Sequence, residues 1–334
     1  MNSRQRFDAT TAYGKADRPP CFEEGIRDEV LRAWRRQGMP AGKTLYELFD
    51  IDRREEIMLE VEPRPYPKAW PTSTAGLDDL RQRLDPEDEQ RLPAGWPGII
   101  DEWQQRDYPL LIRVHRGFFQ TLGVGDWRRF EAVIYLVKDD PTFVHQVLDM
   151  QGHFVARLLE RILSRVEVDG AIFSEPIAGN SGPLISPRMY EEFALRSYEP
   201  ILEVLRRFGV QNIIARTYAN ARILLPSFLK WGFNCLWACE TGNASGTGAT
   251  MDYLAIRQEY GRDLRLIAGI DTDALRADKE AIRREVQDKV PPLLVSGGYM
   301  PLADGRIRAG IPYENYAYYR ELLAEVVARQ GNAS

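Results

Sequence analysis

Short apolar runs alternate with longer amphipathic stretches from residue 109 to the C-terminal region. An apolar run that ends at a polar residue is typical of a buried strand, whereas apolar residues that recur every three or four positions indicate a helix. The runs that predict strands are 109–115, 170–176, 211–217, 235–241, 265–271 and 297–301. Because the stretches between them predict helices, the alternation implies a parallel sheet.

This many strand–helix units favours an α/β fold with a single closed (β/α)8 TIM barrel, which we expect to occupy residues 1–334 as one domain. A doubly wound open sheet is the alternative. Residues 3–13 predict an N-terminal helical extension, and residues 26–37 predict a second helix. The proline-rich stretch 62–98 predicts an irregular insertion or a lid, with a turn or two of helix inside it.

The composition excludes several classes of function. With 44 basic and 49 acidic residues and no basic block, the chain is not expected to bind nucleic acid. No apolar run approaches the roughly 20 residues that span a bilayer, so no membrane contact is predicted. Three cysteines and a polar start, "MNSRQRFDAT", predict a reduced, cytoplasmic location. No glycine-rich nucleotide motif follows any predicted strand.

Polar residues at the predicted strand ends are the candidates for a site, because the carboxyl ends of barrel strands surround the active site. They are Glu24, Arg113, His115, Arg116, Glu175, Arg216, Tyr218, Glu240, Asp271, Asp304, Arg306 and Arg308. Guanidiniums on converging strands can grip a carboxylate, and buried acids can move protons. The alternative is a set of ion pairs that neutralise one another around the barrel mouth.

We assign substrate binding to one group of these residues: Arg113, Arg116, Arg216, Arg306 and Glu24. The candidates for proton transfer form a second group: Tyr218, Glu175, Glu240, His115 and Asp304. Among the three histidines, His115 alone falls at a predicted strand end. Cys235 and Cys239 have no further ligand near them in sequence, so neither a metal nor a cofactor is predicted. The small-residue stretch "ETGNASGTGAT" at the end of the fourth run would allow close approach of a ligand, or would be a plain loop.

Four stretches, in this order along the chain, resemble the superfamily of uroporphyrinogen decarboxylase and the cobalamin-dependent methyltransferases. That resemblance covers nearly the whole chain and implies a (β/α)8 barrel with its site at the C-terminal mouth. It also implies a homodimer. The stretches are "MNSRQRFDATTAYGKADRPP", "SGPLISPRMYEEFALRSYEPIL", "MDYLAIRQEYGRDLRLIAGID" and "GGYMPLADGRIRAGIPYENYAYY".

The chain departs from the methyltransferase branch at the zinc ligands. The His-x-Cys of that branch falls on Arg216, Thr217 and Tyr218, and its final cysteine falls on or beside Tyr299. Zinc activation of a thiol in that manner is therefore not expected. A cation and a hydrogen-bonding phenol stand where those relatives hold a metal.

The chain also departs from the decarboxylase branch. Its tetrapyrrole-binding run is replaced by "CFEEGIRDEVL", in which Arg27 is the one remnant, and its essential aspartate has no counterpart in "FDIDRREEIMLEVEP". The late His-Gly of that branch aligns with Asp304 and Gly305, and its tyrosine falls near Arg113. These departures imply a substrate other than uroporphyrinogen.

Three hypotheses of function remain open. The first is a divergent, decarboxylase-like lyase that acts on a small anionic carboxylate by acid–base chemistry. The second is a methyltransferase with a corrinoid protein as partner, for which a ligand set of His115, Glu175 and Glu240 is conceivable. The third is a non-catalytic barrel that binds an anion.

Overall fold

The computed structural model describes residues 1–242 and 251–333. Its main sheet has seven parallel strands in the order β1-β2-β3-β6-β7-β8-β9, and β4 pairs with β5 in a separate two-stranded ribbon. The strands of the main sheet are β1 (Glu55–Met58), β2 (Leu110–His115), β3 (Gly170–Glu175), β6 (Ile213–Tyr218), β7 (Cys235–Cys239), β8 (Arg265–Ala268) and β9 (Tyr299–Met300). The ribbon strands are β4 (Ala178–Gly179) and β5 (Gly182–Pro183).

Helices connect successive strands of the main sheet, and others precede β1 or follow β9. In the first third of the chain they are α1 (Ser3–Thr11), α2 (Asp28–Arg36), α3 (Leu45–Leu48), α4 (Leu77–Gln82) and α5 (Trp96–Gln105). In the middle they are α6 (Phe118–Thr121), α7 (Trp127–Asp139), α8 (Pro141–Leu163), α9 (Pro187–Met189), α10 (Glu199–Arg207) and α11 (Leu225–Lys230). The last are α12 (Tyr253–Tyr260), α13 (Thr272–Ala277), α14 (Lys279–Ser296) and α15 (Tyr313–Ala333), and a π-helical stretch, Tyr190–Leu195, follows α9.

The sheet curls into a half-barrel of seven strands. Inward-facing side chains from its first and last parts, such as Leu111 of β2 and Met300 of β9, belong to one buried apolar cluster. The strand order follows the chain without a reversal, which is not the pattern of a doubly wound sheet. The predicted parallel α/β architecture is therefore confirmed, and the open doubly wound alternative is wrong.

An extended stretch near the N-terminus lies between the two edges of the sheet. The carbonyl of Cys21 accepts a hydrogen bond from the backbone N–H of Asp52, just before β1, at 3.0 Å. The carbonyl of Gly25 accepts one from the N–H of Ile307, after β9, at 3.0 Å. This stretch carries Glu24 to the carboxyl ends of the strands.

The six predicted strands are confirmed as β2, β3, β6, β7, β8 and β9. The sequence does not predict β1, because Ile57 is the one fully buried residue among its four. The other positions of β1 are charged or exposed, so the strand lacks the apolar run that reveals the rest.

The stretch 62–98, which its prolines predict to be irregular, contributes side chains to the main apolar core. It contains α4 and two short 3-10 turns, and Leu77, Leu80 and Leu92 join the main core. Buried Arg91 donates to the carbonyls of residues 60, 62 and 85 at 3.0, 2.7 and 2.8 Å, and also to that of residue 83. The prediction that this insertion acts as a lid stays a prediction.

Alternation along β6 decides which of its side chains reach the interior. Ile213 and Ala215 pack outward against the helices, whereas Ile214 and Tyr218 belong to the inner cluster. Because successive side chains of a strand point to opposite faces, Arg216 shares the inner face with these two residues. The strand therefore delivers a guanidinium and a phenol to the carboxyl end of the curled sheet.

Candidate active site at the carboxyl ends of the strands

Side chains from neighbouring strand ends surround a cavity of about 220 Å³. Arg113 comes from β2, Arg216 and Tyr218 come from β6, and Glu240 directly follows β7. The lining also includes Glu24 and Arg306. The structure thus brings together six of the ten residues to which the sequence assigns substrate binding or proton transfer, and we call this place the mouth.

Glu56 on β1 is the centre of the charge network beneath the mouth. Its carboxylate accepts from Nη2 of Arg113 at 2.5 Å, from Nη2 of Arg216 at 2.7 Å, and from Nη1 of Arg54. Burial alone would raise the pKa of the Glu56 carboxyl, but the three guanidiniums outweigh it and hold that pKa well below its usual range. Glu56 is therefore ionised and fixes three cations around itself.

Arg216 is the most deeply buried cation of the mouth, with 2% of its side chain exposed. Its Nη1 lies 3.8 Å from Oε1 of Glu24, and its guanidinium carbon lies 3.9 Å from the ring centre of Trp237. The guanidinium of Arg54 also contacts this indole ring, at 4.8 Å. Burial opposes the charge of Arg216, but Glu24 and Glu56 outweigh it and raise its pKa. A charged guanidinium stacked on an indole keeps a fixed orientation.

Positive charge is in excess at the mouth. Together with Arg54 and Glu56, the residues around it supply six guanidiniums and three carboxylates. Arg308 pairs with Glu240, whereas Arg306 is exposed and makes no ion pair with any residue of the described ranges. Such an excess attracts anions and orients them. The guanidiniums are Arg27, Arg54, Arg113, Arg216, Arg306 and Arg308, and the carboxylates are Glu24, Glu56 and Glu240.

Three of these arginines keep an unused donor. The Nε–H groups of Arg54, Arg113 and Arg216 are buried and have no acceptor among residues 1–242 and 251–333. Buried donors normally have a partner, so three unpaired ones in one network are unusual. They indicate that the network has hydrogen-bonding capacity left for an oxygen-rich ligand or for water.

Two protonated groups face the mouth beside the guanidiniums. Burial raises the pKa of the Tyr218 phenol, and it raises the pKa of the Cys239 thiol well above its usual value. Both therefore carry their protons at neutral pH. Tyr218 is half-buried on the cavity wall and can donate a hydrogen bond or a proton to a bound molecule.

The backbone at two adjacent strand ends lies in the left-handed region. Ala219 follows β6 with φ 52°, and Glu240 follows β7 with φ 54°. The N–H of Ala219 donates to the carbonyl of Cys239 at 3.0 Å, which ties the two strand ends together. Backbone of this kind in residues other than glycine is enriched at functional sites.

Asp304 lies below the mouth and does not line it. Its two carboxylate oxygens accept from the N–H and hydroxyl of Thr241 at 2.9 and 2.7 Å, and from the N–H and hydroxyl of Thr272, both at 3.1 Å. Burial raises the pKa of Asp304 even so. Because its oxygens hold the turns after β7 and β8, this carboxyl supports the shape of the mouth.

Glu175 faces the helices instead of the mouth. Glu175 is two positions after the outward-facing Phe173 on β3 and therefore shares its face. Its carboxyl group accepts a hydrogen bond from the Phe118 N–H at 2.9 Å, and from the hydroxyls of Tyr190 and Tyr198 at 3.1 and 2.6 Å. Burial raises the pKa of Glu175 to about 7. Gly117 makes this contact feasible, because a Cβ there would lie 2.6 Å from Pro176.

His115 lies on the same side as Glu175. The pairing of β2 with β3 shifts between Arg113 and His115, and the shift places His115 opposite the outward-facing Phe173. His115 also lines a cavity of about 280 Å³ beside the mouth, together with Arg113. Its Nδ1 accepts from the Gly117 N–H at 2.8 Å, and its ring centre lies 4.3 Å from that of Tyr198. Burial lowers the pKa of His115 to about 3, so the ring is neutral.

We expect the Glu175→Gln variant to change how stability depends on pH. Between the unfolded pKa of 4.5 and the folded pKa of about 7, the folded protein keeps a proton that the unfolded chain has released. The Glu175 contribution to the free energy of unfolding therefore falls as pH rises through this window, by roughly 3 kcal/mol in total. Urea unfolding of both proteins at several pH values measures this contribution. The free energy of unfolding of the wild type minus that of the variant should fall as pH rises.

A matched control for this measurement is Glu203→Gln, which changes an exposed carboxyl on α10. The difference between wild type and this control is expected to stay flat with pH. A flat difference for Glu175→Gln as well would contradict a protonated Glu175 in the folded state.

Arg116 is exposed and pairs with Glu62 of the insertion. It does not line the mouth. It lines a neighbouring cavity of about 280 Å³, which also contacts Met58 and Arg113. Arg116 therefore lies beside the mouth, in a cavity that it shares with Arg113.

The sequence reasoning missed Glu56 and Arg54. Both lie at inward positions of or beside the unpredicted strand β1, in "RREEIM". The signal that could have found them is the alternation of charge, with Arg54 and Glu56 two positions apart on one side of the strand.

The described residues contain no group of three or more His, Cys, Asp or Glu side chains arranged to hold a metal ion. The ligand set of His115, Glu175 and Glu240 is accordingly not assembled, since the first two face the helices and the third lines the mouth. Within residues 1–242 and 251–333, no helix combines the length and apolarity needed to cross a bilayer. The small-residue loop predicted after Glu240 lies mostly outside the described residues.

Comparison with known proteins gives one informative match. The uroporphyrinogen decarboxylase of Shewanella frigidimarina (strain NCIMB 400) is 27% identical to this chain over 166 residues. The match covers 48% of this chain and 42% of that protein, so it spans less than half the length of either. No family model matches the chain. The similarity suggests the uroporphyrinogen decarboxylase superfamily and a decarboxylase-like function.

Proposed function

We propose that the protein is a decarboxylase-like lyase that removes CO₂ from a small carboxylate substrate bound at the mouth. The observation that carries this proposal is the excess of guanidiniums over carboxylates at the carboxyl ends of the strands. The partial similarity to a decarboxylase supports the reaction class. The substrate is a carboxylate because bidentate guanidinium contacts match that group.

We further propose that the sheet belongs to a closed (β/α)8 barrel, with residues 21–27 in the eighth position. The backbone hydrogen bonds of Cys21 and Gly25 to the two edges of the sheet support this arrangement. Closure explains why Glu24 faces Arg216 across the mouth, at 3.8 Å between Oε1 and Nη1. In such barrels the active site lies at this end.

The arginines would hold and orient the substrate. Arg216 and Arg113 bind its carboxylate groups from below, and Arg306 binds from the rim. In the reaction the bond between the substrate carbon and the carboxyl carbon breaks, its electron pair stays on the substrate carbon, and CO₂ leaves. The positive mouth stabilises the negative charge that develops on that carbon.

Tyr218 is our candidate for the proton donor. Its raised pKa keeps the phenol protonated until the carbanion forms, and its proton then completes the new C–H bond. The phenolate recovers a proton from solvent. Glu240 lines the same cavity and pairs with Arg308, so it is the candidate for relaying that proton. Glu175 and Asp304 support the fold around the mouth in this proposal and make no contact with substrate. His115 does not line the mouth and has no role in the proton transfer proposed there.

The proposal is tested by incubating the purified protein in D₂O with a pool of acidic metabolites. Mass spectrometry then identifies any acid that is depleted while a product lighter by CO₂ accumulates. We expect a product with one deuterium at the carbon that lost CO₂. We expect Tyr218→Phe to form it at least about 10²-fold more slowly, because general-acid catalysis contributes 10²–10⁴.

Two outcomes would count against this account. No depleted acid in any pool would contradict the lyase function. Undiminished turnover by the Tyr218→Phe variant would remove Tyr218 from the reaction. No observation in the structure favours corrinoid-linked methyl transfer, and we do not propose it.

A further inference from the structure

We propose that the cavity beside the mouth is a second compartment of the same binding site, and that it accepts an uncharged arm of the substrate. This inference rests on the proposed function, because it takes the mouth as the place of the carboxylate. The second compartment lies at the ends of β1 and β2, and four apolar and five polar residues line it. The apolar ones are Met58, Leu59, Val61 and Leu92, and the polar ones include Arg113 and the neutral ring of His115.

The two compartments share one wall, the side chain of Arg113, which lines both cavities. Arg113 is 24% exposed at its side chain, and its Nη2 donates to Glu56 at 2.5 Å. A ligand can therefore lie across Arg113 while its carboxylate bonds to the same guanidinium.

Volume favours a joint site. The mouth encloses about 220 Å³ and the second compartment about 280 Å³. Pockets for small molecules usually measure about 300–1,000 Å³. Each compartment alone falls short of this range, and the two together reach it.

Charge distinguishes the two compartments. At the mouth, Arg306 makes no ion pair within the described residues, whereas all three guanidiniums of the second compartment already have acceptors in the protein. Arg113 pairs with Glu56, Arg116 pairs with Glu62, and Arg91 donates to four backbone carbonyl oxygens. An anionic group gains little there, so the part of the ligand in this compartment is neutral.

Apolar side chains identify the kind of neutral group. Met58 is 50% exposed at the end of β1, although a methionine at a strand end is usually covered. Leu59, Val61 and Leu92 are buried beside it. A flexible thioether over an apolar floor suits an alkyl or aryl group. The substrate class is therefore a carboxylic acid whose charged head carries an apolar arm.

Malonate and benzylmalonate test this inference, because they share a dianionic head and differ by one aromatic arm. We expect calorimetry to show benzylmalonate binding about tenfold tighter than malonate. We also expect the ¹³C signal of the Met58 methyl group, assigned with Met58→Leu, to shift with benzylmalonate and not with malonate. Ring current from a phenyl group in the second compartment produces that shift.

A filled compartment provides a second readout. Met58→Trp is expected to reduce the preference for benzylmalonate over malonate to about one, because the indole occupies the space of the arm. Val295→Trp is the control, since Val295 is exposed on α14 at a distance from both cavities and should keep the tenfold preference.

The outcomes separate this inference from the proposed function. Malonate that binds normally, with no gain for benzylmalonate and no shift at Met58, overturns the second compartment and leaves the mouth intact. If neither diacid binds, the carboxylate site at the mouth is itself wrong, and the second compartment falls with it.

Discussion

We expect malonate to bind the Arg216→Met variant about 10- to 100-fold more weakly than it binds the wild-type protein. Arg216 lines the mouth from below, and hydrogen bonds to a charged group contribute about 1.5–3 kcal/mol each. The fold should tolerate the change, since Glu56 keeps its bonds to Arg54 and Arg113. Isothermal calorimetry measures the affinity, and turnover of any substrate found should be lost with it.

The matched control is Arg283→Met, which changes an exposed arginine paired with Glu280 on α14. Its malonate affinity should equal that of the wild type. If Arg216→Met does not fold, Arg306→Met replaces it, because Arg306 is exposed and makes no ion pair within the described residues. If a folded Arg216→Met or Arg306→Met variant binds malonate as tightly as the wild type does, the anion site at the mouth is contradicted.

Arg91→Met is expected to have the largest effect on stability. The Arg91 guanidinium donates to four carbonyl oxygens, and its carbon lies 4.5 Å from the Phe154 ring centre. Methionine keeps the apolar packing and leaves those buried carbonyls without donors. Buried networks broken in this way lose about 3–5 kcal/mol of unfolding free energy, which urea denaturation measures.

Arg81→Met serves as the comparison, because Arg81 is an exposed arginine in the same insertion with an i,i+3 partner, Asp78. Its unfolding free energy should change by less than about 1 kcal/mol. Equal losses in the two variants would show that Arg91 does not anchor the insertion.

Much of the fold follows from the sequence, because six strands of the main sheet are continuous apolar runs. Parallel strands covered by helices on one side and by core on the other have that pattern. Strand β1 lacks this pattern, because Glu55 and Glu56 take part in ion pairs. A strand whose positions are used for ion pairs has too few apolar residues to be predicted from an apolar run.

The candidate site was predictable to the extent that strand ends converge. Arg113, Arg216, Tyr218, Glu240 and Arg306 were found in this way, and the structure gathers them at one cavity. The direction of each side chain was harder to predict, because a run buried on both faces gives no contrast between inward and outward positions.

Glu175 and His115 illustrate that limit. Glu175 shares the outward face of β3 with Phe173, yet both faces of that strand are apolar in sequence. His115 would face inward with Arg113 by simple alternation, but the shift in pairing between them turns it outward. Listing the polar residues at predicted strand ends cannot find Glu56, because β1 is not predicted. It cannot find the shift in pairing either, because that shift depends on the neighbouring strand.

A crystal structure of the protein with malonate tests the anion site at the mouth most directly. We predict malonate at the mouth, with one carboxylate within hydrogen-bonding distance of the guanidinium of Arg216 or Arg113 and the other near Arg306. Malonate found only at arginines away from the mouth, at a concentration that saturates binding in solution, would contradict it.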